Sequence, residues 1–169
     1  MYSVKVLCCE NLGLLHSVAV KAIEKSEGTD FNHVAILLNG FVYEAVFPRA
    51  RKISKYDWDK LFRTIRTYEI ELNELEYRLF LEQMLAQHGK PYSVFQCAMI
   101  WLSNSVGVLE RFIERIVWNG NKALICSEFV ARPLIKAKDF KFENEPDTVG
   151  MDEIETCLKI LGKVVPNEA

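Results

Sequence analysis

At 169 residues, half of them apolar and about a quarter charged, the chain has an ordinary globular composition. It is expected to form one domain, 1–169, able to bury roughly 70% of its unfolded surface. A formal charge of −2 gives no general drive toward nucleic acid or an anionic membrane, so no nucleic-acid partner is expected. The longest apolar run, Cys97 to Leu102, is too short to span a bilayer. The start, Met1-Tyr2-Ser3-Val4-Lys5, has no signal-peptide pattern, and a soluble, cytoplasmic protein without a transmembrane segment is expected.

Val4 to Cys9 reads as a first strand. Leu12 to Lys25 carries Leu15, Val18, Ala19, Ala22 and Ile23 at helical spacing and stops before Gly28, which predicts an amphipathic helix. The period then changes to that of strands. His33 to Leu38 and Phe41 to Phe47 flank Asn39-Gly40, the strongest short hairpin signal. Ile53 to Ile70 is expected to hold one or two more strands. Asn73 opens a helix: Glu76, three residues on, completes a capping box, and Leu72 and Tyr77 occupy the staple positions. That helix should stop at Gly89. Further helices are expected around Val94–Leu102 and Val108–Val117, from Cys126 onward, and from Met151 to Leu161. Strands early and helices late argue for an α+β fold rather than a parallel βαβ array.

The two-residue turn carries a geometric consequence. It pairs Leu38 with Phe41, and hence Ala35 with Glu44 and His33 with Val46. Opposed residues share a face, so His33 and Glu44 become diagonal neighbours about 7–8 Å apart at Cα. Glu44 would then hold one nitrogen of His33 and leave the other free for a thiol. The alternative is a Glu44 that points to solvent from a half-exposed strand. A one-residue change of register would put the two side chains on opposite faces.

Cys126 stands where the apolar run Leu124-Ile125 turns into a helix. A thiol at a helix N-terminus beside a histidine is activated, with a pKa lowered to roughly 3.5–7.5, and the helix N–H groups can stabilise an oxyanion. The alternative reading is a small buried hydrophobe. Cys8, Cys9, Cys97 and Cys157 sit in apolar strands or helices and read as structural. His16 lies within the first amphipathic helix and His88 near a helix C-terminus. Five cysteines without CxxC spacing and only three histidines suggest neither a zinc site nor a disulfide. No metal or organic cofactor is expected, and the oligomeric state is open.

Taken together, Asn32-His33-Val34-Ala35-Ile36, Val42-Tyr43-Glu44-Ala45, Gly89-Lys90-Pro91-Tyr92 and Cys126-Ser127-Glu128-Phe129-Val130 resemble the circularly permuted NlpC-type papain-like superfamily. The resemblance spans roughly residues 30 to 135 and is nearest to the YiiX-like branch, related to lecithin–retinol acyltransferase-like proteins. It implies a permuted papain-like fold, with a small antiparallel barrel-like sheet packed against helices. It also implies Cys126 as nucleophile, His33 as general base, Glu44 as the group orienting His33, and Tyr92 at the substrate pocket; the alternative for Tyr92 is a turn aromatic covering the core. Asp147-Thr148-Val149-Gly150 resembles a late segment of the family that often has proline, and Gly150 departs from it. Pro133 departs as well, since proline should end or kink the Cys126 helix early.

The expected function is a cysteine hydrolase cleaving an amide, peptide or ester bond through an acyl-cysteine intermediate. Peptide-like substrates, muropeptides included, are expected at the family level, from a phage or bacterial setting. A lipid or N-acyl transferase is the second reading, with Phe95, Met99, Ile100, Trp101 and Leu102 available either to an acyl chain or to the core. A non-catalytic binding or host-interaction module is the third. Seven basic residues between Arg49 and Arg66 face either an anionic substrate or solvent.

Overall fold

A computed structural model describes residues 1–12, 28–94 and 123–167. The helices expected within 12–25, 94–102 and 108–117 fall wholly or almost wholly outside these residues, as do His16, Cys97 and the apolar group from Phe95 to Leu102.

Six strands form one antiparallel sheet: β1 (Tyr2–Asn11), β2 (His33–Leu38), β3 (Phe41–Glu44), β4 (Arg51–Ser54), β5 (Phe62–Leu72) and β6 (Lys163–Val165). Their spatial order is β4-β3-β2-β1-β5-β6. Among the described residues four α-helices accompany them: α1 (Lys55–Trp58), α2 (Glu74–Ala86), α3 (Cys126–Lys138) and α4 (Met151–Leu161), with a 3-10 turn at Pro146–Thr148. The α+β class and the order of early strands and late helices are as expected. No helix among the described residues is long and apolar enough to cross a membrane.

The sheet buries both faces. Val4, Val6, Cys8, Val34, Ile36, Tyr68, Ile70 and Leu72 point into the main core with Phe80 and Met84 of α2, Phe129, Val130 and Leu134 of α3, and Ile154 and Leu158 of α4. Leu7, Cys9, Ala35, Leu37 and Val42 alternate to the other face and meet Trp58 and Phe62 in a second, smaller cluster. This alternation is the period-2 geometry of a pleated strand.

One irregularity breaks that alternation. Cys8 pairs with Arg66 but Cys9 pairs with Thr64, so Ile65 is an extra residue in β5. Such a bulge shifts the parity of the strand beyond it. Tyr68, Ile70 and Leu72 face the main core, whereas Phe62, also an even position, faces the second cluster.

Two local features obey the expected chemistry closely. Leu38 pairs with Phe41 across Asn39-Gly40, and both turn residues have positive φ (51° and 76°), as a two-residue hairpin of this kind requires. The Asn73 side chain accepts from the Glu76 N–H at 3.0 Å while Glu76 accepts from the Asn73 N–H at 2.8 Å, a complete capping box. The helix ends at Ala86, with the C-cap at Gln87, and Gly89 comes next but one at φ 78°.

Two expectations need correction. β3 ends at Glu44 rather than Phe47; Pro48 has no N–H to extend a ladder, and its carbonyl instead accepts from the Tyr92 N–H. Of the two outcomes expected of Pro133, an early end to α3 is not found: the helix continues to Lys138. Proline at 133 leaves the Phe129 carbonyl without its i+4 donor, and the Gln87 Nε2 just beyond α2 supplies the missing bond at 3.0 Å. A side chain from the neighbouring helix end thus repairs the backbone ladder and lets α3 run on.

Candidate active site

A short ladder of backbone hydrogen bonds sets the cysteine relative to the hairpin. Gly89 and Lys90 exchange bonds with Ala50, Tyr92 N–H donates to the Pro48 carbonyl, and Leu124 N–H donates to the Pro91 carbonyl. Ser93 N–H returns a bond to Leu124. The segment after β3 therefore anchors the 89–93 turn, and that turn anchors Leu124. Ile125 is the extended N-cap residue of α3 and Cys126 its first helical residue. The helix packs against β2, which begins with His33.

His33, Glu44 and Cys126 come together at this junction. His33 Nε2 lies 2.8 Å from Glu44 Oε2, the pairing that the hairpin register made possible, and Cys126 is the other side chain whose hydrogen bonding acts on the imidazole. With Nε2 taken by Glu44, Nδ1 is the ring nitrogen left for the thiol. All three residues are buried, with Glu44 completely inaccessible and Cys126 4% exposed.

Glu44 is held by more than His33. Trp58 Nε1 donates to Oε2 at 3.0 Å. Arg51 donates to Oε1 from Nε at 2.8 Å and approaches it with a terminal guanidinium nitrogen at 2.7 Å. Both carboxylate oxygens are thereby satisfied, as a buried charge demands. Phe62 stacks on the His33 ring at 4.8 Å and on Trp58 at 4.9 Å, closing the far side of the imidazole. Sequence reasoning missed Trp58, Arg51 and Phe62 as site residues. Arg51 carried one usable signal: an NG hairpin continued by a third antiparallel strand sets it opposite Glu44.

The electrostatics derive from these contacts. Burial opposes a charged His33, but hydrogen bonds to Cys126 and Glu44 outweigh it and push its pKa up to about 10. Burial would likewise raise Glu44, yet hydrogen bonds from His33, Trp58 and Arg51 hold it below the usual carboxylate range. Burial drives Cys8 and Cys157 up to about 12 and Cys9 well above its ordinary value, so their thiols stay protonated at neutral pH. Cys9 donates to the His33 carbonyl at 3.3 Å and supports the strand at that point.

Tyr92 is half-buried and packs against the main core, bridging to Leu124. The basic stretch is largely neutralised in place. Lys55 pairs with Asp59, Lys60 with Asp57, Arg63 with Glu10, and Arg66 with Asp30 and Glu155, while Lys52 sits 3.9 Å over the Phe41 ring. The late segment is tied to the cysteine helix, since Arg132 of α3 bridges Glu128 and Asp147. No protein-family model matches the chain, and a search of curated proteins returns no match.

Proposed function

We propose that the protein is a cysteine hydrolase of permuted papain-like architecture, with Cys126 as nucleophile, His33 as acid and base, and Glu44 orienting His33. The observation that carries this reading is the buried Cys126–His33–Glu44 contact chain, in which a histidine that keeps its proton across neutral pH touches a thiol at a helix N-terminus. A protonated imidazole is the cationic half of a thiolate–imidazolium pair.

The chemistry then runs in two balanced halves. The Cys126 thiolate attacks the substrate carbonyl carbon, forming a C–S bond and an oxyanion, which faces the N–H groups of the first turn of α3. Collapse of that intermediate breaks the bond to the leaving group, which takes the proton from His33. A water then gives its proton to His33 and attacks the thioester; cleavage of the C–S bond releases the acid and restores the pair. Tyr92, part of the turn that anchors Leu124, is the residue proposed to border the substrate. Peptide-like substrates, muropeptides among them, are the substrate class proposed; an acyl acceptor other than water would make the same intermediate a transferase.

The test is the pH dependence of Cys126 alkylation, read by mass spectrometry in wild type, His33→Ala and Glu44→Gln. Selective labelling of Cys126 near pH 6, lost in His33→Ala, is the expected result. Labelling that rises only near pH 8.5 and ignores both substitutions would sink the catalytic reading and favour a binding module. Incubating the reactive protein with muropeptides and with acyl donors then separates hydrolysis from acyl transfer by the product formed.

A further inference from the structure

Arg51 stands apart from the rest of the site. Cys126, His33, Glu44 and Trp58 are all buried, whereas the Arg51 side chain is 37% exposed while its guanidinium holds Glu44 Oε1 through two nitrogens. It sits at the start of β4, the edge strand of the sheet, directly opposite Glu44. The division of the carboxylate is complete: Arg51 occupies Oε1, and His33 and Trp58 share Oε2.

We propose that Arg51 is a positioning residue that sets the pH window of the Cys126–His33 pair by clamping and partly neutralising Glu44. The inference rests on the catalytic reading above and deepens it. Two consequences of the geometry support it. By filling Oε1, the guanidinium stops the carboxylate from rotating, so Oε2 stays aligned with Nε2. By adding a positive charge behind Glu44, it offsets part of the pull that the carboxylate exerts on the imidazole proton. Among the described residues few charged or titratable groups face the dyad, and one of them is Cys9 of β1, whose thiol donates to the His33 carbonyl and is held protonated by burial. His33 comes from β2, Arg51 from β4 and Cys126 from α3, while Trp58 of α1 adds a neutral donor, and Lys55 lies over the Trp58 ring at 5.6 Å but pairs with Asp59. Of these, Arg51 is the permanent cation in direct contact with Glu44.

Charge fixes the direction of the effect. Removing the positive charge while Glu44 stays ionised strengthens the hold on the proton and disfavours the neighbouring anion. Both limbs of the pH profile of Cys126 reactivity should therefore move upward together. Arg51→Lys keeps the charge but loses the two-nitrogen clamp, so its limbs should stay near wild type while its maximum rate falls. Arg51→Gln keeps a donor but loses the charge, so its limbs should rise by about one pH unit.

The experiment measures Cys126 alkylation rates against pH in wild type, Arg51→Lys, Arg51→Gln and Trp58→Phe, with neutral iodoacetamide and anionic iodoacetate. Circular dichroism confirms folding of each variant. An upward shift of both limbs in Arg51→Gln, with little shift in Arg51→Lys and with the same shift for both reagents, is the supporting result. Unmoved limbs with an unchanged maximum rate overturn it. So do unmoved limbs accompanied by a selective loss of iodoacetate reactivity, which make Arg51 a contact for anionic ligands instead. If Arg51→Gln does not fold, Arg51→Lys decides: the limbs must hold while the rate falls, and a limb shift in it refutes the charge argument. A wild-type Cys126 without reactivity below pH 8 removes the catalytic reading and this inference with it, whereas a reactive wild type with insensitive Arg51 variants removes the inference alone.

Discussion

Among the described residues, two glutamates are buried almost equally well and are used differently. Glu44 is wholly inaccessible and Glu128 is 1% exposed. Glu128 pairs with Arg132 at 2.6 Å, one turn along its own helix, and Arg132 reaches on to Asp147 at 2.5 Å. Glu44 also accepts from an arginine, but its second oxygen meets His33. Burial and pairing are alike; what differs is the partner's ability to release a proton. Arginine never does so in a protein, and the Glu128–Arg132 pair ties α3 to the Pro146–Thr148 turn through Asp147. Histidine can, and the thiol of Cys126 lies on its other side. A buried ion pair thus points to chemistry only when one member is titratable near neutrality and touches a third reactive group.

The sharpest break in that comparison is loss of function. His33→Ala should lower Cys126 reactivity at pH 6 by about 10²-fold or more, while Glu128→Gln should leave the pH profile in place; alkylation kinetics on both variants check this. Stability comes next. Glu44→Ala strips a carboxylate from a fully buried position and is expected to cost about 3 kcal/mol, measured by urea denaturation. Glu128→Ala should cost less, about 1–2 kcal/mol, because Arg132 keeps Asp147. Equal losses would mean that the two networks are energetically alike.

A third prediction concerns the helix that carries both Cys126 and Glu128. Gln87→Leu leaves the Phe129 carbonyl unpaired and should cost about 1–3 kcal/mol. Adding Pro133→Ala restores a backbone N–H at the right place, so the double variant should regain most of that loss. A double variant as unstable as Gln87→Leu alone would show that Gln87 acts by packing rather than by repairing the ladder.

The last effect is a slope. His33 binds its proton more tightly in the folded chain, so its contribution is full below about 6.5 and is lost as pH rises toward about 10. Glu44 has a lowered pKa, so its contribution is present above 4.5 and is lost as pH falls through its folded value. Urea midpoints should therefore peak between these limits, and the alkaline decline should flatten in His33→Ala. A decline just as steep in that variant would assign it to other groups.

Parts of this arrangement were legible in the sequence because they are local. Asn39-Gly40 dictates a register, and the register puts His33 beside Glu44 without any knowledge of the rest of the fold. Asn73 and Glu76 announce their helix in four residues. Trp58 and Phe62 were not legible, since their place depends on a four-residue helix and on a bulge in β5. Neither has a turn or capping signal as strong as Asn-Gly. Pro133 misled because its local rule is correct but its compensation, Gln87, bonds to a carbonyl 42 residues further along the chain. Local rules fail where a distant side chain satisfies what the backbone has lost.

The bulge at Ile65 has a consequence of a different kind. Because an added residue reverses which side of the sheet the rest of the strand presents, the aromatic wall behind His33 depends on a count rather than on an identity. Substituting Ile65 by another apolar residue leaves that count intact. Deleting it would carry Phe62 to the helix-covered side and leave the imidazole without its stacking partner. Over evolutionary time this strand should accept replacements more readily than changes in length, so a single-residue gap there would be a more telling mark of a lost site than many exchanges around it.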